Sequence, residues 1–336
     1  QDTKKASSTS IKMEVPEEHL SKGSIAHSST RAFAASCLSE LPGFIELAND
    51  DSHFDLEKAL AMQRGEDSLI LHLGEMFSLG YKFLMSNSAM IQECGMKFLV
   101  AILRQYGNTH DPEFDGHPLL EQYQAQIISV LRTSLAVSAQ PRHIVYGSEL
   151  AVGFILGGLS GGDVGVLKRI LSHLLSHLKQ WDEAQYSDYA EWCSATVRVS
   201  LLEAFARLSA EEAFHSEYYE QESTIIENEL SASYPVLIDR WLAFLFDYVI
   251  LCGQNEKVKA QYQPQLYNGA SVDATKLVLT RYEEAVPSVL ACLVKYARHN
   301  TLEVSLAKCM FTAANLCIRK SINDASMLSV ALPMNK

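Results

Sequence analysis

The sequence predicts an all-α chain of stacked helices, and three observations carry that reading. Apolar residues recur at helical spacing through most of residues 31–336. No segment shows the strict apolar–polar alternation of a half-buried strand. The apolar stripes are joined by short turns containing Gly, Pro and Asp, with no strand–helix–strand rhythm. Helices of this kind, each apolar over a broad face, pack as antiparallel pairs. Periodicity alone leaves both a solenoid and an irregular bundle open, because self-similarity is weak at the ~40-residue period of helical repeats.

Taken in order, residues 1–30 are rich in Ser, Thr, Lys and Glu and poor in apolar groups. This stretch is expected to be a disordered linker, with Ser7, Ser8, Thr9 and Ser10 as phosphorylation candidates. Its charges balance, so the net charge of −12 belongs to residues 31–336. From there the pattern supports roughly twelve helices of about 12–25 residues. Met96, Leu99, Val100, Leu103 and Tyr106 form one stripe. Pro118 suits a first helical turn, and Leu120, Tyr123, Ile127, Ile128, Leu131 and Leu135 follow it on one face.

Asp163 is placed to cap the next helix, and the glycines before it can take left-handed conformations that end the preceding one. Val164, Leu167, Ile170, Leu171, Leu174, Leu175 and Leu178 line the capped helix. A further stripe runs through Val236, Leu237, Trp241, Phe244, Leu245 and Tyr248. Pro235 and Pro287 fall near helix starts or kinks. Val289, Leu293, Tyr296 and Ala297 precede a last long helix that Thr301 is expected to cap, carrying Leu302, Leu306, Cys309, Met310, Ala313 and Leu316.

One string has unusual wording: His110-Asp111-Pro112-Glu113-Phe114-Asp115-Gly116-His117-Pro118-Leu119-Leu120-Glu121-Gln122-Tyr123-Gln124-Ala125-Gln126. It resembles a segment of the very large HEAT-repeat proteins that accompany clathrin adaptors, the HEAT-repeat-containing protein 5 family with its plant and fungal members. Weaker likenesses follow. Gly157-Gly158-Leu159-Ser160-Gly161-Gly162-Asp163 with Val166-Leu167-Lys168-Arg169-Ile170 is similar to the family's turn and helix. Tyr189-Ala190-Glu191-Trp192 and the Arg240-to-Tyr248 helix are similar to two further segments. The likeness runs from about residue 66 to about 300 and is strongest over 110–170.

The resemblance implies an α-solenoid of HEAT/armadillo-like antiparallel helix pairs over residues 31–333. It implies an internal fragment of a longer chain, because family members are several times longer. It further implies a non-enzymatic scaffold in vesicle-mediated traffic. Such a protein would be cytoplasmic and peripheral to trans-Golgi network and endosomal membranes, supporting adaptor localisation and cargo sorting. Expected partners are a clathrin adaptor complex, its accessory proteins and neighbouring repeats of the same chain. A solenoid fragment would expose an apolar end where the next repeat stacks. A helical regulatory or targeting subunit of a kinase, GTPase or transport receptor is the alternative expectation.

Composition and motifs limit the other classes. Net charge of −12 speaks against nucleic acid, which selects a basic footprint, and against docking on anionic membrane. No apolar run reaches the ~20 residues needed to span a bilayer. The seven cysteines are scattered with no CxxC pair, which suits reduced, buried thiols better than disulfides or a zinc site. His173 and His177 stand four apart, but no third ligand accompanies them, and they are expected to be partly exposed flank residues. Gly157–Gly165 lacks the Gly-Lys-Ser/Thr ending of a phosphate loop and reads as an interhelical turn. No Gly-x-Ser-x-Gly elbow is present, and His215 sits among Glu211, Glu212 and Glu217 without visible order. These observations call for no cofactor and no metal.

Residues 211–230 hold seven glutamates, three aromatic residues and no Lys or Arg. The segment is expected to be an exposed loop or frayed helix end. As a function, Glu211, Glu212, Phe214, Glu217, Tyr218, Tyr219, Glu220 and Glu222 could form an acidic-aromatic docking strip for a basic partner.

Overall fold

The computed structural model describes residues 22–48, 51–61, 68–111, 114, 116–181, 189–210, 219–252, 264–267, 272–297 and 307–319. Its helices are α1 (Lys22–Ala48), α2 (Leu56–Ala61), α3 (Leu73–Leu84), α4 (Ala89–Tyr106), α5 (Gln124–Ser134) and α6 (Pro141–Leu156). There follow α7 (Val164–Lys179), α8 (Glu191–Ala210), α9 (Tyr219–Ser231), α10 (Tyr234–Cys252), α11 (Val272–Ala297) and α12 (residues 307–319). The chain is an all-α solenoid. Helix α1 takes in residues 22–30 of the expected linker, and residues 1–21 and the Asn300-Thr301 turn lie outside the described residues.

Two layers organise the helices. In one, α1, α4, α6, α8 and α11 stack side by side, each packing on the next. In the other, α3 covers α4, α5 covers α6, α7 bridges α5, α6 and α9, and α10 lies on α8 and α11. The short α3–α4 and α5–α6 connections make those pairs antiparallel. One continuous core runs between the layers from Ala59 to Ala313, and a smaller cluster of Ala32, Ala35, Ile91 and Cys94 sits under α1. Helix α1 turns Phe33, Phe44 and Leu47 outward.

Layer position decides what each helix looks like in sequence. Helix α7 has one buried face, so it shows a single stripe from Val166 to Leu178. Helix α8 is enclosed between α6, α10 and α11, and its buried residues surround it: Ala195, Val197, Val199, Leu201, Leu202, Phe205. Its small polar residues cause no unpaired groups there, because Thr196 and Ser200 donate to the carbonyls of Trp192 and Thr196 at 2.7 and 2.9 Å. Helices α3 and α4 cross closely at Gly95, where a Cβ would come within 2.9 Å of the Gly80 carbonyl oxygen.

The turns hold the pairs in register. Asp163 accepts from the amides of Gly165 and Val166 at 2.8 and 3.1 Å, which satisfies two donors at the start of α7. Gly158, Gly161 and Gly162 have positive φ, so the turn before α7 uses backbone that other residues resist. This turn meets the unusual string of residues 110–126. Gln124 donates to the Leu159 carbonyl at 2.9 Å, and Glu121, held by His117 at 2.8 Å, occupies the space beside Gly161. Two segments far apart in sequence thus form one inter-repeat clasp.

Several expectations are corrected. Pro118 does not open an α-helix; Leu119–Tyr123 is a 3-10 turn, and α5 starts at Gln124. Pro235 lies in the first turn of α10, as expected, and Pro287 and Pro42 lie inside helices. His177 is not a partly exposed flank residue. It is buried, its Nε2–H donates to the Leu135 carbonyl at 3.0 Å, and burial lowers its pKa. Of the segment expected to be an exposed loop or frayed helix end, residues 219–231 are helical, and residues 211–218 lie outside the described residues. Among the seven free cysteines, Cys94, Cys292 and Cys309 are buried, and Cys37 is exposed.

Asp247 carries a pH signature. It is fully buried and accepts the Leu266 amide at 2.7 Å, the Gln265 amide at 3.0 Å and the Tyr282 hydroxyl at 3.4 Å. These bonds fasten residues 264–267 across α10 and α11 and seat Leu266 and Tyr267 in the core. Burial pushes its pKa up to about 6, against the lowering pull of the backbone amides. The folded state therefore holds this proton more tightly than the unfolded chain, and stability falls as pH rises from about 4 through about 6. A shift of that size corresponds to roughly 3 kcal/mol. Asp247→Asn should flatten the pH dependence of the urea midpoint between those values. An unchanged slope would assign it to other groups.

Candidate protein-binding groove

The layer of α1, α4, α6, α8 and α11 forms the floor of a groove of about 900 Å³. The other cavities compared with it hold 170 and 190 Å³. Each helix contributes polar side chains: Glu40 and Glu46 from α1, Glu93, Lys97 and Arg104 from α4, and Arg142, Tyr146 and Glu149 from α6. Helix α8 adds Trp192, Cys193 and Glu203, and α11 adds Leu277, Arg281 and Glu284.

Polar contacts stitch each helix junction on this face. Gln105 of α4 donates to Glu46 of α1 at 2.6 Å. Arg142 of α6 bonds Glu93 of α4, and the Tyr146 hydroxyl donates to the same carboxylate at 3.4 Å. Arg104 of α4 approaches Glu149 of α6 at 3.7 Å. Arg281 closes the far end. Its guanidinium lies 3.0 Å from Glu149, 2.5 Å from Glu203 and 2.9 Å from Glu284, and its Nε–H donates to the Ser200 hydroxyl at 2.9 Å. One side chain thereby joins α6, α8 and α11.

This clamp is nearly enclosed, with the side chains of Arg281, Glu149 and Glu203 exposed by 13%, 15% and 13%. Burial pulls the guanidinium pKa down, but the carboxylates around it pull harder, and the net shift is upward. Burial also raises Glu203, with Arg281 opposing. Cys193 lines the groove as a thiol whose pKa burial raises, which disfavours the thiolate needed for nucleophilic attack. The groove presents charged groups, hydrogen-bonding groups and the aromatic side chains of Tyr146 and Trp192.

Of the acidic-aromatic strip, the described residues Tyr219, Glu220 and Glu222 do not line this groove. Residues Glu211, Glu212, Phe214, Glu217 and Tyr218, like His215, fall outside the described residues. Tyr219 starts α9 and Glu220 is exposed, whereas Glu222 is buried and accepts a hydrogen bond from the Ser160 hydroxyl. Glu229 pairs with Lys168 of α7 at 3.0 Å. His173 and His177 do not converge on a third ligand, and no group of three or more His, Cys, Asp or Glu placed to hold a metal occurs among the described residues. Among the described residues no helix is long and apolar enough to cross a membrane.

Sequence reasoning did not find the groove. Its signal was polar residues three, four or seven apart on otherwise apolar helices: Glu93 with Lys97, Arg142 with Tyr146 and Glu149, Arg281 with Glu284.

Comparison with known proteins gives the architecture a lineage. Residues 68–250 match the Laa1/Sip1/HEATR5 HEAT repeat region. Protein SWEETIE of Arabidopsis thaliana is 32% identical over 278 residues, which cover 79% of this chain and 12% of that protein. The chain thus spans about an eighth of the length of this relative. No solved structure matches it. The matched region takes in the clasp, the Asp163 turn and most of the groove-forming layer, and the chain belongs to the Laa1/Sip1/HEATR5 family of HEAT-repeat proteins.

Proposed function

We propose that this chain is a protein-binding scaffold segment without catalytic activity. It acts within a large HEAT-repeat protein that supports clathrin-adaptor localisation and cargo sorting between the trans-Golgi network and endosomes. The observation that carries the binding role is the groove: five helices present charged and aromatic side chains on one face while their ion pairs hold that face in shape. Stacked helical repeats use such extended faces to take up partner segments. The trafficking role rests on family membership. In this reading the protein is cytoplasmic and reaches membranes through its protein partners, with neighbouring repeats continuing the stack.

Deleting residues 68–250 from the whole protein in cells, with imaging of adaptor subunits, tests this. Adaptor should disperse from perinuclear and endosomal membranes. Unchanged adaptor distribution and cargo sorting would overturn the reading.

A further inference from the structure

Two kinds of arginine face the groove, and the difference between them points to a ligand. Arg281 is saturated: three carboxylates and a hydroxyl surround a side chain only 13% exposed. Arg104 and Arg142 are each 67% exposed, and their carboxylate partners Glu149 and Glu93 sit low, at 15% and 19%. Lys97, between them on the α4–α6 seam, is 38% exposed and lies 5.9 Å from the centre of the Tyr146 ring.

A guanidinium offers five N–H donors in a fixed fork. Arg104 meets its carboxylate at 3.7 Å and Arg142 bonds one carboxylate oxygen, so most of that fork faces solvent in both. The groove contains more acidic than basic side chains, but along the seam the anions form the floor and the cations stand above it. Exposed carboxylates occur at the two rims, Glu40 and Glu46 on α1 and Glu284 on α11.

We infer that the α4–α6 seam is a docking site for an extended, Asp/Glu-rich peptide segment of a partner protein. The inference deepens the scaffold reading and rests on it for biological meaning. Arg142 stands level with Glu93, and Arg104 lies eleven residues further along α4, which separates the cations by ~16 Å. An extended peptide covers that length in about five residues at ~3.3 Å each. Carboxylates at its ends meet the two arginine forks in bidentate geometry, and one between them meets Lys97. Tyr146 and Trp192 wall the path, and the rim glutamates confine an acidic strand to the seam by repulsion.

The test is fluorescence anisotropy of the purified 336-residue chain with a labelled, unstructured Asp/Glu-rich dodecapeptide. A Lys-rich peptide of the same pattern runs in parallel. The acidic peptide should bind saturably, more weakly as salt is raised, and the Lys-rich peptide should not. The double variant Arg104→Gln/Arg142→Gln should bind about tenfold more weakly or worse. Arg132→Gln, on the exposed face of α5, should bind as the unaltered chain does. If the double variant melts early, Arg104→Gln alone replaces it, since that residue makes the longer contact. Preference for the Lys-rich peptide, no binding of the acidic one, or equal binding by the variants would overturn the inference. Because the assay contains no adaptor or membrane, failure of the trafficking reading would leave its result standing, and the reverse also holds.

Discussion

Replacing Arg281 with methionine should destabilise the chain by about 3–5 kcal/mol, the usual consequence of removing one partner from an enclosed ion pair. Methionine keeps much of the aliphatic stem but leaves Glu149 and Glu203 facing each other with little solvent and without the cation that bridges them, and the charge of Arg207 reaches Glu203 more weakly than that of Arg281. Arg104 cannot take over, because it approaches only Glu149, at 3.7 Å. The effect should be local first. Stacked repeats are held by nearest-neighbour contacts, so α11 should lose hydrogen-exchange protection before α4 does. Adding Glu149→Gln and Glu203→Gln to the methionine variant should restore much of the loss, since no buried charge then remains unpaired. Urea denaturation followed by circular dichroism reads both. A loss under about 1 kcal/mol would mean that the clamp behaves like an ordinary surface pair.

Trp241→Ala is the second large effect. Trp241 is fully buried where α10 meets α8, and its indole N–H donates to the Leu202 carbonyl at 2.9 Å. Truncation leaves a cavity at that junction, one helical turn from Phe244, whose ring stacks on Tyr282 of α11 at 4.7 Å. The expected loss is about 3–5 kcal/mol. Trp241→Phe separates the two contributions, because it keeps much of the ring volume and removes the hydrogen bond, for a smaller loss of about 1–2 kcal/mol. Equal losses in the two variants would place the energy in the hydrogen bond and not in packing.

How much the sequence reveals depends on how many sides of a helix are covered. Helix α7 has one buried face, and its stripe from Val166 to Leu178 is legible at once. Helix α8 is covered on several sides, so its apolar residues surround it and no single stripe stands out. Residue type suggests partial exposure for His177, whereas its spacing from Leu174 puts it on the buried stripe. Glu222 shows the same thing: acidic composition suggests solvent, whereas its register in α9 turns it toward Ser160. The clasp was half legible. The glycines and the Asp163 cap follow from turn chemistry, but the meeting of Gln124 with Leu159 is a tertiary fact. The groove was least legible, because Glu149, Glu203 and Arg281 come from three helices that only the stack brings together.

The proposed binding of this segment to the adaptor machinery is tested most directly by affinity capture from cytosol. The 336-residue chain serves as one bait and the whole protein as it occurs in cells as the other, with mass spectrometry as the readout. The account predicts adaptor subunits and their accessory proteins on both baits. Their presence on the whole protein alone would make this stretch a spacer within the scaffold, and their absence from both would contradict the trafficking function outright.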